Sequence, residues 1–153
     1  MFAALLLLAK MIVASGDWVA FDRGPSCEAV ARSALVPRTG EPQPHVALSF
    51  DRGRGRKGEF SVALRRPSRA GSTVVLTIGD QPFLLSARGA SAWSRGPVQE
   101  QAIIAAMRAA NGMRVEARDG AGRRMVDRYL LNGAPTAIDA AAAACLRKAN
   151  VRP

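Results

Sequence analysis

The residues able to do chemistry in this chain are few: two cysteines, Cys27 and Cys145, a single histidine, His45, and a cluster of arginines in a glycine-rich stretch. Two thiols near opposite ends of the chain would, in an exported protein, fit one bridge closing nearly the whole domain; the alternative is two buried, unbridged thiols. They do not fit a zinc site, since no Cys-x-x-Cys pair is present and one histidine cannot complete a ligand set. Nucleophilic catalysis needs an activating base, and His45, set between Pro44 and an apolar strand pattern, has no evident partner. It reads as a surface or strand-edge histidine. The carboxylate pairs Asp17 with Asp22 and Asp119 with Asp127 fall near turns and strand edges, without the pattern of a general acid–base pair. We therefore expect no catalytic residue, no cofactor and no metal.

The arginines are the one candidate binding surface. Arg52, Arg54, Arg56 and Lys57 crowd the stretch from Asp51 to Glu59, and Arg65, Arg66 and Arg69 follow the next strand, so both sets are expected to join one positive patch. Guanidinium groups pair bidentately with phosphate and sulfate, which points to lipopolysaccharide or an acidic glycan. The stretch is no phosphate loop, because neither a helix start nor a Lys-Ser/Thr pair follows its glycines. Nucleic acid is a poor partner, since no aromatic residues interleave with the arginines to stack bases. The formal charge of +10 adds little, because all but three of the 22 basic residues are arginine in a chain also rich in Ala and Gly. That bias reflects composition as much as a polyanionic partner.

Elements must position these residues, and the first is an apolar run from Met1 to Gly16 ending in small residues. It reads as a signal-peptide-like leader, with cleavage after Ser15 or Gly16, although no basic region precedes it and Lys10 sits inside it; the alternative is a buried first strand or helix. The uninterrupted apolar run is far shorter than the roughly 18 residues a membrane span needs, so no transmembrane protein is expected. Residues 17–153 then suffice for one domain with a single core.

Period-two alternation dominates the middle of that domain. Val46, Leu48 and Phe50 form one apolar face, and Phe60, Val62 and Leu64 the next, across the Arg-rich hairpin loop. Val74, Leu76 and Ile78 pair with Phe83 to Leu85 across Gly79 to Pro82. The stretch from Met113 to Arg118 pairs with that from Arg123 to Leu131 across Asp119 to Gly122. The opening strands lie at Trp18 to Phe21 and at Cys27 to Val36. Helices are expected from Pro97 to Ala110, ending at Asn111-Gly112, and from about Pro135 to Lys148, where alanines favour helix. Ile138, Ala142, Cys145 and Leu146 share one stripe of the last helix, which turns the cysteine toward the sheet. Trp18, Trp93 and Tyr129 read as core anchors or edge caps.

The order and wording of these segments resemble the invasion-associated locus B family of exported alphaproteobacterial proteins. The resemblance lies in Gly16-Asp17-Trp18 followed by Cys27, in the stretch from Leu76 to Phe83, in Ile103 to Arg108 before Met113, and in Tyr129 to Gly133 leading to Cys145. It implies a mainly β, antiparallel β-sandwich with one or two peripheral helices, one of them C-terminal, located in the periplasm or secreted. It implies no catalytic residues and no cofactor. Members are linked to host-cell invasion in some pathogens, so the implied partner is a protein or an envelope component.

Overall fold

A computed structural model describes residues 9–146 of the chain. Ten strands follow the alternation of apolar and polar side chains: β1 (Lys10–Ser15), β2 (Trp18–Asp22), β3 (Ser26–Arg32), β4 (His45–Asp51), β5 (Lys57–Ala63), β6 (Val74–Ile78), β7 (Gln81–Arg88), β8 (Ser91–Trp93), β9 (Gly112–Arg118) and β10 (Arg124–Leu130). Two helices, α1 (Pro97–Ala109) and α2 (Ala134–Cys145), complete the described chain. The strands form one open antiparallel sheet in the order β1-β2-β3-β4-β5-β8-β7-β6-β9-β10. Strand β7 turns the corner, with residues 81–85 on β6 and residues 86–88 on β8. The sheet thus folds into two layers, and the expected mainly β, sandwich-like architecture with a C-terminal helix is found.

Cross-strand rows fill the space between the layers. Ala20, Ala29, Leu48 and Phe60 stand opposite one another, as do Trp18, Ala31, Val46, Val62 and Ala92. From the other layer come Leu76 opposite Val115 and Ile78 opposite Met113. All belong to one buried apolar cluster, which is what limits the domain to a single core. Helix α2 packs on β1 to β4, α1 packs on β5 to β7, and the helices touch each other. Pro97 and Pro135 sit in the first turns, where a missing N–H costs no helix hydrogen bond. The buried stripe of α2 runs through Ala137, Ile138, Ala141 and Cys145, whereas the expected Ala142 is half-buried and Leu146 is exposed. An alanine run carries no periodicity of its own, so sequence alone does not fix its rotation. The expected helix end at Lys148 lies outside the described residues.

Three further differences from the sequence reading have local causes. Strand β3 ends at Arg32 and the chain leaves the sheet, so Leu35 and Val36 are exposed at 56% and 90%. Strand β8 is three residues long and too short to show a pattern. Within the segment read as a leader, Lys10–Ser15 forms β1, paired with β2 around a bulge between Met11 and Val13.

An open sheet leaves two edges, and β10 is covered. The carbonyl of Val126 accepts from Arg65, that of Arg128 accepts from the Ala34 amide, and that of Leu130 accepts from the Trp18 indole Nε1 at 2.9 Å. The Asp17 amide donates to the Asn132 carbonyl at 3.0 Å. Here Gly16 and Gly133, both with positive φ, bring their backbones together. A Cβ on Gly133 would overlap the Ser15 carbonyl, and one on Gly16 would overlap that of Asn132. Two distant motifs, Gly16-Asp17-Trp18 and Leu130 to Gly133, thereby form one joint between the first hairpin and the start of α2.

The joint requires glycine for two reasons, backbone sign and space. Gly133→Ala is expected to lower the unfolding free energy by about 2 kcal/mol or more, read as a lower urea midpoint. The same change at Gly120, whose added Cβ meets nothing, serves as the control and should shift the midpoint little.

Candidate functional site

Cys27 faces inward from β3 opposite Asp22 and Phe50, and Cys145 faces inward from the last turn of α2. They form a disulfide with a Cα–Cα distance of 5.7 Å across a sequence separation of 118. Both are buried, at 0% and 4% exposure. The expected pairing is therefore found. Closing so long a loop is worth about 4 to 5 kcal/mol in the chain-entropy account. The Asp22 carboxylate lies near both sulfurs, but bridged sulfurs offer no thiolate for a metal.

The arginine loop is tied down rather than free. Arg52 reaches back to Asp22 at 2.8 Å, to the Gly24 carbonyl and to the Ala144 carbonyl at 3.2 Å, clamping the β2–β3 turn to the end of α2 beside the disulfide. A guanidinium suits a helix C-terminus, where carbonyls lack partners. Its hydrogen bond to Asp22, with that of the Gly24 amide, holds this carboxyl well below the usual range. Arg56 closes the loop on Asp51 at 2.8 Å and lowers that carboxyl likewise. Arg54 and Lys57 make no ion pair among the described residues.

Arg65 and Arg66 lie beyond the far end of β5, about 20 Å along the strand from the loop, so the two sets do not merge into the expected single patch. Arg65 turns inward to Asp127, which stands between Met125 and Tyr129 on the buried face of β10. The Tyr129 hydroxyl and the Arg65 Nε have no hydrogen-bond partner there, and burial together with Asp127 pushes the tyrosine hydroxyl pKa up while Arg65 opposes it. Arg66 bridges Glu41 at 3.1 Å and Asp119 at 2.9 Å. Burial raises the Asp119 pKa, but the amides of Arg123 and Ala121 and the guanidiniums of Arg66 and Arg123 outweigh it and hold this carboxyl low. Arg69 sits at the neighbouring turn, where its amide bonds the Arg118 carbonyl. The anion-binding reading missed these internal carboxylates because sequence does not show which charges meet across strands.

Trp18 and Tyr129 are buried core residues, whereas Trp93 is half-buried on the outer face of the sheet. His45, at the exposed start of β4, joins Trp93 there, its Nδ1 lying 3.2 Å from the Gln43 carbonyl oxygen. This face is hollow because its middle carries small side chains: Ala47, Ser61, Ala63 and Ser91 lie between Arg23, Glu28, Arg32, His45 and Trp93, around a depression of ≈ 620 Å³. A second depression of ≈ 600 Å³ continues from Val30 and Arg32 to Val19, Phe21 and Leu130. A separate cleft of ≈ 550 Å³ lies between the loop and the start of α1 and gathers Asp51, Glu59 and Glu100. Burial raises the Glu59 pKa, opposed by Arg56 and reinforced by Glu100 and Asp51. Compared with known proteins, the chain matches no family model, no curated protein and no solved structure. Among the described residues no helix is long and apolar enough to cross a membrane.

Two outcomes follow from these charges. Arg65→Met leaves Asp127 buried and unpaired, and is expected to cost about 3 to 5 kcal/mol in denaturant unfolding, with Asp127→Asn in the same background restoring part of it. The carboxyls of Asp22, Asp51, Glu116 and Asp119 all have folded pKa values below their ordinary ones. The unfolded chain therefore takes up protons first on acidification. The stability they contribute is complete above about pH 5 and is lost as pH falls through their folded values. Glu59 acts in the opposite sense. Urea midpoints measured from pH 6 downward should fall, and Asp119→Asn should flatten the fall.

Proposed function

We propose that this chain is an exported, non-catalytic domain of the invasion-associated locus B type, periplasmic or secreted, that acts through contacts with a protein or an envelope component. The observation that carries the reading is the Cys27–Cys145 bridge, since such a bond forms and persists in an oxidising compartment. Further support comes from the joint at Gly16-Asp17-Trp18 and Gly133, where two of the segments that carry the resemblance meet in space. The resemblance brings no catalytic residue with it. The Arg-rich loop gives the polyanion alternative less support, because Arg52 and Arg56 are held by Asp22 and Asp51. The same reading keeps Lys10–Ser15 in the exported chain, because β1 pairs along β2 and Ser15 abuts Gly133.

Intact mass and N-terminal sequence of the protein recovered from the periplasm or medium, with thiol labelling before and after reduction, test this reading. The expected result is a chain that retains β1, with both cysteines labelled only after reduction under denaturing conditions. Reduction should also lower stability by about 2 to 5 kcal/mol. Retention in the cytoplasm, or two thiols that label freely in the folded protein, would end the exported reading. A chain beginning at Gly16 or Asp17 would instead show that β1 is removed.

A further inference from the structure

The two depressions on the outer sheet face form one groove with a defined floor. Strand register places Val19, Val30, Ala47, Ser61 and Trp93 in a single row across β2, β3, β4, β5 and β8. The row spans four inter-strand spacings, about 19 Å. Its middle is small and its far end is the half-buried indole of Trp93. The adjoining row reads Arg32, His45, Ala63, Ser91 and Arg88. Arg32 and Arg88 are exposed and make no ion pair among the described residues, while Arg23 on the other flank is paired with Glu28 at 2.5 Å. Arg32 thus lines the groove as an uncompensated guanidinium, and Arg88 stands one strand beyond its far end, opposite Ser91.

We propose that this groove binds a carboxylate-bearing saccharide chain laid across the strands, with one ring stacked on Trp93 and its carboxylates facing Arg32 and Arg88. Rested on the contact-based reading above, the proposal names the partner's chemistry and moves the anion site away from the hairpin loop. Shape and charge together select this occupant. An extended peptide draws its affinity from free strand edges, and the face of a sheet offers it no backbone donors. A second copy seated face to face would bring like charges together. Linked rings need what the groove has: a flat aromatic surface, serine hydroxyls and spaced guanidiniums that take carboxylates bidentately. Two well-separated cations fit singly charged groups spaced along a chain better than a densely phosphorylated headgroup.

The test uses the oxidised full chain, an oligogalacturonate of defined length and its fully methyl-esterified form, with binding read by calorimetry and by tryptophan fluorescence. The fluorescence response belongs to Trp93, because Trp18 is fully buried. Saturable binding is expected to weaken about tenfold or more on esterification and in Arg32→Glu, and to weaken in Trp93→Ala. Arg54→Gln combined with Lys57→Gln should leave it unchanged. Arg32 is exposed, so its variant keeps the proposal testable should Trp93→Ala fail to fold. The proposal is overturned by an absence of saturable binding, by equal binding of the ester, or by loss of binding in the loop variant alone. Self-association that occludes the face would also overturn it. None of these outcomes alters the thiol and mass results, so the groove and the exported reading fail separately.

Discussion

A folded-over sheet of ten antiparallel strands must bring its two ends together without closing into a barrel, and everything else in this structure depends on how that is done. Strand β10 meets the opposite layer through an indole, a backbone amide and a guanidinium, each bonded to one of its carbonyls. The glycine contact at residues 16 and 133 sets the depth of that approach, because any side chain there would hold the segments apart. Only with this spacing do the two layers share one apolar core, and only then does α2 lie where Cys145 can reach Cys27. The disulfide reinforces an arrangement that backbone contacts define.

The same geometry draws part of the positive charge into the interior of the fold. Arginines near both ends of β5 are used internally: Arg52 on a turn and a helix end, Arg56 within its loop, Arg65 on a buried aspartate, Arg66 on two carboxylates. Planar guanidiniums can satisfy several acceptors at once, which lets them serve as crosslinks between loops. Other basic side chains, among them Arg32, Arg54, Lys57 and Arg88, make no ion pair among the described residues. Net charge therefore describes the chain poorly, and the location of unpaired charge describes it well.

How much of this was legible beforehand divides along physical lines. The hairpins β4–β5, β6–β7 and β9–β10 were readable because alternation over five or more residues leaves few other solutions. The cysteine pair was readable because the chain has no other thiols. Strand β1 was not, since a short apolar segment ending in small residues serves equally as the end of a leader or as an edge strand. Trp93 was expected as a core anchor or an edge cap, and nothing local shows that β8 turns its ring to the outer face. The groove was invisible for a different reason: it is made by Ala47, Ser61 and Ala63, whose significance lies in being smaller than their neighbours on adjacent strands.

The covering of β10 also fixes the symmetry open to this protein when sheets meet edge to edge. With the β10 carbonyls engaged within the chain, β1 is the uncovered end strand among the described residues, and it carries Lys10 and a bulge. Where β1 pairs with β1 of another copy, the two strands are related by a two-fold axis. Association by that route stops at a dimer, so the architecture is a chain terminator for fibril growth, with its polarity written into which end of the sheet is sealed.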